Sequence, residues 1–243
     1  MTPAPSPPAP RLRDTVALLF AALFPSIGTF LYFVALSGTR WAVPVYLACK
    51  LIQFSFPLVW IAGVERARPH LFREPGTKGL WIGLFSGLGL VAGLMLVWRS
   101  LLARPELAGV PAAIAAKLDA FGITTPTGYV ALALFYSVFH SLLEEYYWRW
   151  FLFGRLRRRL PVGAAGLLSS LAFTAHHVLV IGQFLGGYGP GTWLASLTIT
   201  AAGGLWAWSY HRSNSLYGPW LSHGLADAGL LWVGYQIWRT LAS

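Results

Sequence analysis

The chain has 243 residues, of which 56% are hydrophobic, 15% aromatic and only 11% charged. A soluble domain carries roughly 45–50% apolar and about 25% charged residues, so this composition excludes a disordered chain and leaves too few polar side chains to cover a water-soluble globule. The formal net charge is +10, but the basic residues are scattered between long apolar runs with no aromatic–basic platform, which fits charges facing lipid headgroups and excludes nucleic acid as a partner.

Residues 1–14 read as a disordered tail, with Pro3, Pro5, Pro7, Pro8 and Pro10 close together. The apolar run behind Arg11 and Arg13 is too long for a secretory signal and shows no cleavage site. Runs long and apolar enough to cross a bilayer follow at 15–37, 41–63, 79–98, 128–153, 162–182, 191–210 and 216–238. A backbone in lipid must satisfy its own hydrogen bonds, so these are helices, and the short alternating segments of a β-barrel are not seen. The expected fold is all-α, a polytopic transmembrane helical bundle of about seven spans. N-terminal transmembrane helices and an interfacial segment occupy 15–127, and a second helical unit occupies 128–238. Cys49 is the single cysteine, so there is no intrachain disulfide and no cysteine-based zinc module.

In the third span Gly79, Gly83 and Gly87 recur every four residues, a spacing that lets helices approach closely. The connection 99–127 is broken by Pro105, Pro111 and Pro126, and Ala112–Phe121 forms either a short interfacial helix or a gate. With the N-terminus inside, one face of the membrane carries Arg11, Arg13, Arg66, Arg68, Arg73, Lys78, Arg155, Arg157, Arg158, Arg159 and Arg212. The other carries Arg40, Arg99, Arg104, Lys117 and Arg239. That bias predicts a multi-pass cell-membrane protein with a cytoplasmic N-terminus and an outside C-terminus.

Glu144, Glu145, Asp227, His140, His176, His177 and His223 all fall inside apolar spans. Intramembrane ionisable residues are costly, face a bundle interior or a wet cavity, and are functional by default. They cluster in three short segments. In Glu144-Glu145-Tyr-Tyr-Trp-Arg149, the i,i+4 spacing lets Arg149 neutralise Glu145 and leaves Glu144, turned about 100° away, free for chemistry. His140 lies four residues before Glu144 and can reach it. In Phe173-Thr-Ala-His176-His177, the two rings diverge, so one of them meets Glu144 at most. In His223-Gly-Leu-Ala-Asp227, both polar groups share a helix face. A buried carboxylate with imidazoles and a second carboxylate suits the activation of water.

These segments match the EExxxR, FxxxH and HxxxN/D pattern, and the stretch 128–232 resembles the CPBP family of intramembrane proteases. That family includes the type II CAAX prenyl endopeptidases and bacterial relatives linked to bacteriocin processing or immunity. The resemblance implies an endopeptidase that cuts a membrane-associated polypeptide, prenylated or otherwise lipidated, with water activated by glutamate and histidine. It assigns catalysis to Glu144 and His177, oxyanion stabilisation to His223 and Asp227, and a structural part to Glu145, Arg149 and Phe173. His176 receives no role. The prenyl endopeptidases carry Asn where this chain has Asp227. Asn donates to an oxyanion and an ionised Asp does not, so either Asp227 is protonated or it orients His223. No cofactor is expected. A zinc ion, if one is used, would take His177 and His223 with a carboxylate, although no HExxH is present. The rival readings are a catalytically silent scaffold or immunity protein and a proton-coupled transporter.

Overall fold

The computed structural model describes residues 12–67, 77–101 and 109–239, and all its secondary structure there is helical. Eight helices follow in order: α1 (Leu12–Ala35), α2 (Ala42–Glu65), α3 (Thr77–Leu101), α4 (Val110–Ala120), α5 (Pro126–Leu156), α6 (Val162–Phe184), α7 (Pro190–Ser213) and α8 (Tyr217–Arg239). Each of the seven expected spans has its helix, and α4 covers the expected interfacial segment. By length and composition five of them, α1, α2, α3, α5 and α6, qualify as membrane-crossing. α1 starts at Leu12, inside the stretch assigned to the tail. Residues 1–11, with their prolines, lie outside the described residues, as do Arg68, Arg73, Arg104 and Glu106.

The chain turns back on itself so that several charged segments meet at one end. Arg155, after the end of the α5 aromatic run, pairs with Glu65 at 2.6 Å, and Arg159 pairs with Asp14 at 3.3 Å. Arg157 donates from Nη2 to Asn214 Oδ1, 3.0 Å away, between α7 and α8. The start of α1, the end of α2, the α5–α6 turn and the α7–α8 turn therefore share one end of the bundle. This is the same grouping that the alternation of spans gives to the basic residues. α4 is held by Lys117, whose ammonium lies 4.6 Å from both the Tyr32 and Phe33 ring centroids; burial lowers its pKa below the usual lysine value.

α5 is not a uniform α-helix. π-turns at Phe135–His140 and Tyr146–Phe153 flank one short α-helical piece, Ser141–Glu145. A π-turn displaces carbonyls from the α ladder, and these need other donors. The Val138 carbonyl accepts from Trp220 Nε1 at 2.8 Å, and the Ser137 carbonyl from Ser141 Oγ at 2.7 Å. The second π-turn is aromatic on every side, and Tyr147, Trp148, Phe151 and Phe153 are fully enclosed by protein.

α8 lies along α3, and their approach is set by glycine. A Cβ on Gly83 would collide with the Gly218 backbone, and one on Gly87 would come within 2.7 Å of Leu225 Cδ1 and 3.0 Å of Ser222 Cα. Gly224 admits the Ser137 carbonyl in the same way, so α8 is wedged between α3 and α5. Side chains here would push α8 outward and carry His223 and Asp227 with it. Gly83→Ala is expected to cost about 1–3 kcal/mol by overpacking, read as a lowered thermal midpoint in detergent. Gly89→Ala, with open space around its new methyl, should leave the midpoint unchanged or slightly raised.

Candidate functional site

The short α-helical piece of α5 delivers Glu144 and Glu145 side by side into the bundle, at 2% and 0% exposure. Glu145 faces Arg149, with Oε1 3.1 Å from Nη1, and this is an ion pair rather than an aligned hydrogen bond. The guanidinium also donates from Nη2 to the Gly203 carbonyl at 3.3 Å, and it lies 4.7 Å from the Phe173 ring and 5.0 Å from the Trp206 ring. A side chain on Gly203 would fill that space, since a Cβ there would meet Nη2 at 3.3 Å. The pair that the i,i+4 spacing suggests is formed, and it is wholly buried.

Glu145 has a second partner. Its Oε1 accepts from His223 Nδ1 at 2.7 Å. A carboxylate can only accept, so the Nδ1 proton of His223 is fixed and Nε2 is turned into the site. There Nε2 lies 3.7 Å from Glu144 Oε2 and 3.6 Å from Asp227 Oδ1. Trp206 stacks flat on the His223 ring at 4.0 Å and 14°. The indole donates to Ser222 Oγ, which also accepts from Ser86 Oγ, both at 3.0 Å. α3, α7 and α8 thus hold one imidazole plane.

Glu144 is surrounded by three imidazoles. His140 Nδ1 is 3.9 Å from Oε2, His176 Nε2 is 3.6 Å from Oε1, and His223 supplies the third. Of the two adjacent histidines on α6, it is His176 that stands against Glu144, with its ring parallel to Trp148 within 5°. His177 donates Nδ1–H to the Phe173 carbonyl at 2.9 Å, and its ring lies 4.1 Å from that of His176. Phe173 sits beneath both and touches Trp148, Trp206 and His223 with its edges or face.

The structure therefore brings Glu144, Glu145, Arg149, Phe173, His223 and Asp227 into one cluster, and places His177 at its margin beside His176. Sequence reasoning gave His176 no role because the motif spacing selects His177. It also passed over Lys50, a lysine midway along α2 whose ammonium lies against the Tyr46 and Phe54 rings. The signal was present: Lys50 interrupts an apolar span just as the histidines do. His177 and His223 each donate Nδ1–H to a protein acceptor, which leaves Nε2 as the nitrogen a metal would take, but among the described residues no three His, Cys, Asp or Glu side chains are grouped to hold a metal ion.

Removing one member of a buried ion pair strands the other. Glu145→Ala should destabilise the protein by roughly 3–5 kcal/mol, seen as a lower thermal midpoint and poorer yield. The double substitution Glu145→Leu with Arg149→Met should recover much of that loss while still releasing His223. Comparing thermal midpoints of the single and double variants checks both expectations.

No curated protein and no solved structure matches the chain. Residues 126–229 match the family described as type II CAAX prenyl endopeptidase Rce1-like. This stretch contains all three polar segments, and it is what the chain shares with that family.

Proposed function

We propose that this protein is an intramembrane endopeptidase that hydrolyses a peptide bond of a membrane-associated, lipidated polypeptide with water activated at Glu144. The observation that carries the reading is the meeting of one buried carboxylate with imidazoles from α5, α6 and α8 at 3.6–3.9 Å. These separations exceed a direct hydrogen bond. Catalytic contacts of this kind tighten when substrate and water are bound.

Glu144 takes a proton from water as the water oxygen bonds to the scissile carbonyl carbon. The carbonyl electron pair moves to oxygen, giving a tetrahedral oxyanion. Collapse breaks the C–N bond, and the proton held at Glu144 passes to the departing nitrogen. His176 faces Glu144 Oε1 and orients the carboxylate for the first transfer. His177 has its Nδ1–H committed to Phe173, which leaves the other ring nitrogen as an acceptor for a water proton.

The oxyanion is assigned to His223. Its Nε2 faces two carboxylates, Glu144 and Asp227, and a lone pair there would face only acceptors. One proton must be shared among these three groups, and an Nε2–H on His223 both satisfies the carboxylates and provides a donor for developing negative charge. Asp227 then orients and charges the imidazole, which removes the need for the amide donor that Asn supplies in the prenyl endopeptidases. The cleaved chain approaches from the bilayer, and a cytoplasmic N-terminus with an outside C-terminus follows from the basic end of the bundle.

Glu144→Gln is expected to lower kcat by about 10²–10⁴-fold with the thermal midpoint retained. His176→Ala should cost more activity than His177→Ala. Turnover of a farnesylated CaaX peptide by the purified protein in detergent measures all three. Wild-type turnover in Glu144→Gln would remove Glu144 as the base, and no turnover by the wild-type protein would leave the chain as a silent scaffold. Activity before and after exhaustive chelation, with elemental analysis, decides whether a metal takes part.

A further inference from the structure

α7 carries two tryptophans two residues apart, and a helix turns such residues to opposite sides. Trp208 is 48% exposed on the surface of the bundle, whereas Trp206 is 4% exposed and enters the core. Trp206 lies outside the three polar segments, and the proposed reaction gives it no part. Its indole nonetheless touches both halves of the polar cluster. The ring lies 5.0 Å from the Arg149 guanidinium and is stacked on the His223 imidazole at 4.0 Å and 14°.

Two constraints orient an imidazole: where its nitrogens point within the ring plane, and how that plane is tilted. Glu145 supplies the first by holding Nδ1 at 2.7 Å. One hydrogen bond constrains the tilt weakly. The stack supplies the second, because two flat rings make their largest contact only when parallel. Phe173 meets the same imidazole edge-on, with centroids 5.9 Å apart, and gives it no flat support. The indole is itself anchored. Its Nε1–H donates to Ser222 Oγ at 3.0 Å, Ser86 Oγ lies 3.0 Å from Ser222 Oγ, and Ser86 also reaches the Ile82 carbonyl at 2.6 Å. The link thus runs from the ring to the backbone of α3. Trp148, which lies parallel to His176 at the longer distance of 5.6 Å, has no such anchor for its N–H.

Resting on the hydrolase reading above, we propose that Trp206 is a positioning residue for the oxyanion: by fixing the tilt of His223, it keeps Nε2–H in line with the oxygen on which negative charge develops. A hydrogen bond weakens steeply as it bends, and a donor set before the charge forms costs no reorganisation at the moment of reaction. Trp206 acts through His223 and touches no reacting atom.

The test uses the full-length protein in detergent and two farnesylated CaaX peptides that differ in one atom, oxygen or sulfur on the scissile carbonyl. Sulfur accepts hydrogen bonds weakly, so the ratio of kcat values, oxygen over sulfur, reads the donation to the developing charge. Wild type should favour oxygen. Trp206→Leu should lower kcat on the oxygen peptide by about 10²-fold, the loss expected of a small misplacement, with KM unchanged and the ratio falling several-fold. Ser222→Ala cuts the anchor while keeping both rings, and should lower the ratio by less. Trp206→Phe, which keeps an aromatic face, should retain most of it. The ratio is taken within one preparation, so a loss of folded protein cancels. A wild-type ratio near one, equal losses on both peptides in Trp206→Leu, or a loss confined to KM overturns the proposal. If Trp206→Leu does not fold, an unchanged ratio in Ser222→Ala overturns it. If wild type cleaves neither peptide, the hydrolase reading falls and takes this inference with it. If Glu144→Gln is inactive but the ratio ignores Trp206, the hydrolase stands and only this inference falls.

Discussion

A guanidinium in a low-dielectric interior must be neutralised where it lies, and the core of this bundle is arranged around that requirement. Arg149 is 1% exposed. Glu145 supplies the charge, Gly203 a carbonyl, and Phe173 and Trp206 two ring faces. These partners come from α5, α6 and α7, so fixing one cation fixes three helices relative to each other. Phe173 and Trp206 also contact His223. The same arrangement that makes Arg149 tolerable therefore sets the plane of the His223 imidazole beside Glu144.

Glu145 links the structural half of the cluster to the chemical half. Its Oε1 serves both Arg149 and His223. Were Glu145 neutral, Arg149 would lose its counter-ion and His223 would lose the acceptor that fixes its tautomer. Glu144 differs in kind. Its neighbours are imidazoles at longer range, groups that can each donate or accept a hydrogen bond. Two adjacent carboxylates thus acquire separate surroundings: one is committed to a permanent cation, the other faces only imidazoles.

Much of this was legible in the sequence, for a definite reason. Charge is scarce in this chain, so each ionisable residue in an apolar run carries information: Glu144, Glu145, His223 and Asp227 were found by their misplacement, and Arg149 by its spacing from Glu145. The glycine spacing of α3 pointed correctly to close packing, because Gly79, Gly83 and Gly87 share a face on a regular helix. The choice between His176 and His177 was not legible. Adjacent residues point about 100° apart on any helix, and which one meets Glu144 depends on the rotation of α6, set by contacts such as Trp148 on His176. The π-turns of α5 were invisible too, since nothing in an aromatic run distinguishes a wide turn from an α turn.

The family match covers residues 126–229, yet that segment does not build the site unaided. Tyr147 donates to the Ala21 carbonyl of α1 at 2.9 Å, Ser86 of α3 joins the Ser222–Trp206 link, and Gly83 and Gly87 of α3 determine where α8 can lie. On the other flank, α2 contributes Tyr46, Lys50 and Phe54. The matched helices carry the polar side chains themselves, and the helices before the match fix where those side chains can stand: an added methyl at Gly83 or Gly87 would displace α8, and with it His223 and Asp227.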